Sequence, residues 1–286
     1  MKLNYAPKII IVTPRFLPLL GGMERQVQLI ADELIERNFQ VVIITELLDD
    51  SPRREMNGAL TVIRVGSRRY RPDPAIAPRR LGEQIRSALA IAFHLTLCAR
   101  GTKLAIVRTF TLPSVVVGLL KRFKILRFPT VVTSETGGEQ DDIILFTTFP
   151  AQKFLRFSLM GNDRFNALCE SNVKHMRELH IPMERVSRIP NGIKASDWSM
   201  PPVASRPRRF LYFGRLDSSK GVFELVRAFS HVIKIYPDVT LSFVGRGPEL
   251  QSLSTEVVRL RLDSSIRFYD AVDYADAPVV IRNHDC

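Results

Sequence analysis

Apolar positions along this chain follow two alternating periods. Short runs of Ile, Val, Leu and Phe recur: KIIIVT at Lys8 to Thr13, VVIIT at Val41 to Thr45, Leu60 to Val65, Leu104 to Val107, Pro129 to Thr133 and Phe165 to Leu168. Leu211 to Phe213, Leu241 to Val244 and Ile266 to Tyr269 continue the series. Runs this short and this rich in β-branched residues predict strands buried on both faces. Between them the period changes to that of a helix. MERQVQLIADELIERN places Val27, Leu29, Ile30, Leu34 and Ile35 toward a core, with Glu33 and Arg37 spaced for an i,i+4 pair and Asn38 closing the helix. Further helices are predicted over Leu81 to Ala99, which encloses His94 as a packed helix residue, over Pro113 to Arg127 and over Ala151 to Met160. Another follows Gly221, where Val222, Leu225, Val226, Phe229 and Ile233 share a face. Strands alternating with helices predict parallel α/β sheets.

The interruptions divide the chain. Asp49 to Gly58 is polar and predicts a loop, and Ser67 to Arg80, rich in Pro and Arg, predicts an irregular basic surface loop. Pro201, Pro202 and Pro207 mark 196–209 as a linker between a domain at 1–195 and a second at 210–286. After Val272 no pattern is left, and 286 residues suit two domains of ~100–200 residues.

Composition narrows the classes. With 45% hydrophobic and 24% charged residues the chain is ordinary for a globular protein, and no apolar run reaches the ~18–20 residues that span a bilayer. The short apolar core after Lys8, cut by Pro14 and Arg15, predicts no signal peptide. Cys98, Cys169 and Cys286 are scattered and odd in number, which argues against a disulfide framework or zinc site and for a reducing cytoplasm. The net charge of +12 suits nucleic acid, an anionic membrane or a phosphorylated ligand. No recognition helix, zinc spacing or aromatic-basic repeat supports nucleic acid. KRFKILR at Lys121 to Arg127 interleaves four cations with Phe123, Ile125 and Leu126, which suits either an amphipathic element in peripheral contact with an anionic inner membrane face or a plain surface helix end.

Candidate chemistry gathers where predicted strands end. After Phe213 the chain reads Gly214, Arg215 and then Lys220 and Gly221 before a helix. Two cations at the C-terminal end of a strand and the N-terminal end of a helix favour an anion such as a phosphate. Gly21 and Gly22 hold the equivalent place after the first strand and let a ligand approach the backbone. Ser134 to Asp142, SETGGEQDD, puts glycines and carboxylates at a third strand end. A nicotinamide-dependent oxidoreductase needs G-x-G-x-x-G after the first strand, which PRFLPLLGGMERQ lacks.

GRLDSSKGVFELVRAF followed by LSFVGRGPEL resembles the donor-binding domain of the GT4 family of glycosyltransferases, and GGMERQVQLIADEL and RVSRIPNGI resemble segments of its first domain. The resemblance implies the GT-B fold, two Rossmann-like doubly wound parallel-sheet domains. It also implies transfer of a sugar, with retention, from a nucleotide-diphosphate sugar to a hydroxyl acceptor that is a glycan, a lipid-linked molecule or a small molecule. Arg215 and Lys220 would then hold the donor diphosphate, with Gly21 and Gly22 near it across an interdomain cleft and Gly245 and Gly247 in a turn beside the nucleotide. In much of the family a histidine follows the strand that ends at Thr133; here Ser134 and Glu135 stand there. GGEQDD resembles a variant loop, and Glu135 and Glu139 are its catalytic candidates. Cys169 stands where the family often has serine. No cofactor is implied, and no metal, since two fixed cations can neutralise the diphosphate. The family's Glu-x7-Glu element does not follow Val244, Glu249 and Glu256 being one residue short of that spacing, so the expectation is a second domain that is incomplete and a chain truncated there. The alternative is a non-catalytic binding protein derived from such an enzyme.

Overall fold

The computed structural model describes residues 6–18, 21–48, 51–70, 81–136, 142–143, 152–195 and 206–286. The chain divides into two compact units, 1–193 and 194–286.

The first unit is an eight-stranded sheet. Its strands are β1 (Lys8–Val12), β2 (Gln40–Leu48), β3 (Arg54–Asn57), β4 (Leu60–Tyr70), β5 (Thr102–Arg108), β6 (Thr130–Thr133), β7 (Arg164–Ala167) and β8 (Val186–Arg188). They lie in the order β3-β4-β2-β1-β5-β6-β7-β8, parallel except for β3. Alternation along β1 explains why all its apolar residues are needed. Ile11 packs with Val27, Ala31, Val41 and Ile43 beneath α1 (Gly22–Glu36), while Ile10 and Val12 join Val42, Ile44, Ile91, Leu95, Val107 and Val117 on the other face. That second face is covered by α2 (Leu81–Cys98), α3 (Leu112–Arg122) and α4 (Gln152–Leu159). Helices on both faces are what a parallel sheet requires. α5 (Glu170–Glu178) starts at Cys169, which caps it with Asn172. The predicted Glu33–Arg37 pair forms at 2.8 Å.

Two expectations are corrected here. Within the expected polar loop, Arg54–Asn57 is a strand, antiparallel to β4 and exposed at all four positions. An edge strand with neither face in the core shows no apolar alternation. The helix expected to run to Arg127 ends at Arg122, and Lys124 adopts φ 58°. Lys121 turns inward to Asp163 at 2.8 Å and to the Phe128 carbonyl at 2.9 Å, Leu126 is buried, and the Arg122 guanidinium lies 3.7 Å over the Phe157 ring. KRFKILR is thus a helix end and a turn rather than one amphipathic helix.

The second unit is a three-stranded parallel sheet in the order β11-β10-β9, formed by β9 (Arg209–Phe213), β10 (Thr240–Val244) and β11 (Ile266–Tyr269). α6 (Val222–Ile235) and α7 (Leu250–Arg259) bury Val222, Val226, Phe229, Leu253 and Val257 with Leu241 and Phe243. Phe243 stacks on Phe268 at 5.2 Å and meets Tyr212 at 5.3 Å. The patternless stretch after Val272 contains α8 (Ala277–Arg282). Its six residues are too few for a period to register. The chain then runs beside β9: Asp285 donates its N–H to Arg209 O at 2.8 Å, and Cys286 O accepts from Leu211 N at 2.7 Å. Among the described residues no helix is long and apolar enough to cross a membrane.

Candidate functional site

In the second unit the ends of β9 and β10 form one platform. Gly214 N donates to Val244 O and Leu216 N to Arg246 O, both at 3.0 Å, and Glu249 N donates to Leu216 O at 3.2 Å. Gly245 and Gly247 are explained by this clasp. A Cβ on Gly245 would lie 1.9 Å from Gly214 O, and one on Gly247 would lie 1.9 Å from Leu216 O. Leu216 is fully buried and pins the loop from below.

The two cations project from this platform. Tyr212 donates its hydroxyl hydrogen to Arg215 O at 2.7 Å, which fixes the backbone under Arg215. The Arg215 side chain stays half exposed, with Nε 3.4 Å from Asp217 Oδ2. Asp217 Oδ1 accepts from Ser219 N at 3.0 Å and Ser219 Oγ at 2.8 Å, closing the turn Ser218–Lys220. Those Ser219 bonds, and then Arg215 and Lys220, hold the Asp217 carboxyl below the usual range. Gly221, at φ 72°, turns the chain from Lys220 into α6, a conformation that costs a Cβ-bearing residue about 1–2 kcal/mol. Arg215, exposed Lys220 and the first amides of α6 therefore share one end of the sheet, an arrangement suited to a diphosphate. Arg246 is engaged with Asp270, whose carboxyl it holds at about 2.

In the first unit the strand order reverses between β1 and β5, and ligands of such sheets bind at the carboxyl ends beside that switch. Gly21 and Gly22 follow β1 there. A Cβ on Gly22 would meet nothing within 4 Å, whereas one on Gly21 would lie 2.4 Å from Glu24 Oε2. Glu24 is buried in the first turn of α1, so the anion-favouring end of this helix already faces an acid of its own.

Across the switch, Arg108 ends β5 and Glu135 follows β6. They form an ion pair with side chains 3% and 2% exposed, and Arg108 Nη2 donates to Asn191 Oδ1 at 3.3 Å. Burial pushes the Glu135 carboxyl up to about 7. Arg108 opposes that rise, while Asp142 and Glu24 add to it. Asp142 joins the two loops, accepting from Phe110 N at 2.7 Å and from Glu135 N at 3.3 Å. Glu135 is enclosed against Arg108 rather than open to solvent, and Glu139 lies outside the described residues. Sequence reasoning passed over Arg108, Glu24 and Asn191. A charged residue closing the apolar run LAIVR is the available signal for Arg108, and Asn191 lies in the resembling segment RVSRIPNGI.

Comparison with known proteins adds family and fold. Residues 21–192 match the family described as glycosyl transferase 4-like domain, and residues 200–286 match glycosyl transferases group 1. A glycogen synthase of Mycobacterium tuberculosis is 29% identical over 107 residues, 36% of this chain and 25% of that protein. The chain thus spans a quarter of the length of the curated relatives it matches. Among solved structures, Anabaena HepE in complex with UDP and glucose superposes with a TM-score of 0.64 at 18% identity, over 96% of this chain and 72% of that one. The trehalose 6-phosphate synthase of Burkholderia multivorans superposes with a TM-score of 0.68 at 14% identity, over 98% and 74%.

Proposed function

The chain belongs to the glycosyl transferase 4-like family and has the GT-B fold, and from that premise we propose that it transfers a sugar from a nucleotide-diphosphate sugar to a hydroxyl acceptor with retention. The observation that carries this reading is the platform of the second unit, where Arg215 and Lys220 stand exposed over the start of α6. In the reaction, the bond between the anomeric carbon and the diphosphate oxygen breaks and its electron pair stays on the diphosphate. The acceptor oxygen bonds to the same face of that carbon, and its proton passes to the departing diphosphate. Charge grows on the leaving group as the bond breaks. Two fixed cations and the helix amides aimed at it stabilise the transition state more than the ground state. These groups supply the charge, and the proposed chemistry needs no metal or cofactor.

On the first unit, Gly22 leaves room for a ligand at the start of α1. In this reading Glu135 positions Arg108, and Glu139 is the candidate for direct contact with acceptor or sugar. The acceptor class stays a proposal: a hydroxyl on a glycan, a lipid-linked molecule or a small molecule.

The test is binding and turnover with UDP, the ligand found with HepE, and with a panel of nucleotide sugars. Arg215→Ala and Lys220→Ala should each weaken UDP binding and slow transfer about ten-fold or more, the value of a lost charge-assisted hydrogen bond. Unchanged affinity and rate in both variants would sink the clamp. UDP binding without transfer to any acceptor would favour a non-catalytic relative.

A further inference from the structure

A groove of about 760 Å³ lies in the first unit between α2 and the β3–β4 hairpin. Its walls are Val42, Ile63, Val65, Ala90 and Leu97, and among the described residues its lining holds five Lys or Arg residues and no carboxylate. Two of the five are engaged. Lys8 donates to the carbonyls of Cys98 and Arg100 at 3.1 and 2.9 Å. Arg64 is buried against Glu55 at 2.6 Å and against the carbonyls of Pro52 and Leu17. Arg53, Arg54 and Arg86 remain at the rim with exposed side chains. The period of β3 sends Arg54 and Met56 to the groove side. Arg54 shares the lining of this groove with His94 and Cys98 of α2.

The same helix carries a second feature. Ile85, Leu89, Phe93 and Leu97 fall at i, i+4, i+8 and i+12, a single row along its outer face, and they are 50%, 65%, 58% and 62% exposed. Leu97 belongs to both row and groove. The only carboxylate on α2 is Glu83 in its first turn. An exposed apolar row beside a cationic, partly apolar groove matches an interface of apolar chains and anionic headgroups.

We propose that α2 docks this unit on an anionic bilayer, with a lipid phosphate held among Arg53, Arg54 and Arg86 while Ile85, Leu89, Phe93 and Leu97 enter the acyl boundary. The ligand chemistry is a phosphate ester, and the apolar row selects a lipid rather than a soluble phosphate as its source. This site lies on a different element from KRFKILR and does not depend on the transferase reading.

The test is co-sedimentation of the full chain with phosphatidylcholine vesicles, with and without phosphatidylglycerol. Binding should require phosphatidylglycerol. Arg54→Glu with Arg86→Glu should lower partitioning about ten-fold or more, since each cation near such a surface contributes on the order of 1 kcal/mol. Leu89→Ser with Phe93→Ser should lower it by a similar factor. Arg54→Lys with Arg86→Lys should retain it. Arg267→Glu with Arg282→Glu, an equal change of charge on the second unit, should leave it unchanged. Far-ultraviolet circular dichroism checks that each variant is folded. The proposal is overturned by equal binding to neutral vesicles, by charge-reversed groove variants that bind like wild type, or by an equal loss in the Arg267/Arg282 control. Glycerol phosphate that binds the groove while vesicles do not also overturns it. The readout contains no sugar transfer, so its failure leaves the proposed activity standing.

Discussion

Glu135 poses a question about one side chain. Burial favours the neutral acid and Arg108 favours the anion, and burial wins, with the proton held to about 7 against an ordinary 4.5. The sign follows from linkage. A carboxyl whose pKa is raised on folding adds stability that is fully present below about 4.5 and is lost as pH rises through about 7. With the side chain 2% exposed, the full span is ~3 kcal/mol. Glu135→Gln mimics the protonated acid and removes this dependence. Urea unfolding should find wild type and Glu135→Gln alike at pH 4 and the variant more stable at pH 8. If the variant is instead much weaker at pH 8, pairing with Arg108 outweighs burial, the usual cost of breaking a buried pair being about 3–5 kcal/mol. Activity discriminates further. A positioning role predicts that the variant shifts the pH profile of transfer, which a purely structural role would leave in place.

Elements explain why some features were legible and others hidden. Among the described residues, nine of the eleven strands were readable as short apolar runs, and α1 and α6 because each has one apolar stripe; β8, three residues with two polar, is too short to register. β3 could not be seen: Arg54–Asn57 touches the core with neither face and is a strand only because β4 offers it an edge. Arg215 and Lys220 stand out in the sequence because they lie between a strand end and a helix start, whereas Arg108 and Asn191 meet across 83 residues of sequence, a distance no local pattern spans. Gly245 and Gly247 were expected in a turn beside a nucleotide, and the structure adds a packing reason, the carbonyls of Gly214 and Leu216. That reason is testable. Gly247→Ala forces a methyl against Leu216 O and should cost about 2 kcal/mol while displacing the loop under Arg215, so UDP binding weakens as well. Gly118→Ala makes a comparable collision with Ser158 O at 2.0 Å, between α3 and α4 of the first unit. It should cost a similar ~2 kcal/mol and leave UDP affinity unchanged. Equal loss of UDP binding in both variants would show that the first effect was general destabilisation.

Charge is the property of the whole chain that links these sites. Forty-one Lys and Arg against 29 Asp and Glu leave +12, and several of the cations that matter, Arg53, Arg54, Arg86, Arg215 and Lys220, are exposed. A uniform excess repels itself in the compact state and attracts anions outside it, and salt weakens both effects. The two consequences have opposite signs. Raising sodium chloride from about 0.01 to 0.15 M shortens the screening length from ~30 to ~8 Å. Over that range the urea midpoint should rise, because self-repulsion is relieved, while UDP affinity and vesicle partitioning should fall, each by about three-fold or more. The ion pairs on the surface oppose the first trend only weakly, since exposed pairs such as Arg37–Glu33 contribute about 0–1 kcal/mol. The buried Arg108–Glu135 pair lies beyond the reach of the screening ions. UDP affinity that does not change with salt would mean that exposed Arg215 and Lys220 are not what holds the diphosphate. Vesicle binding that does not change would assign docking to the apolar row of α2 alone.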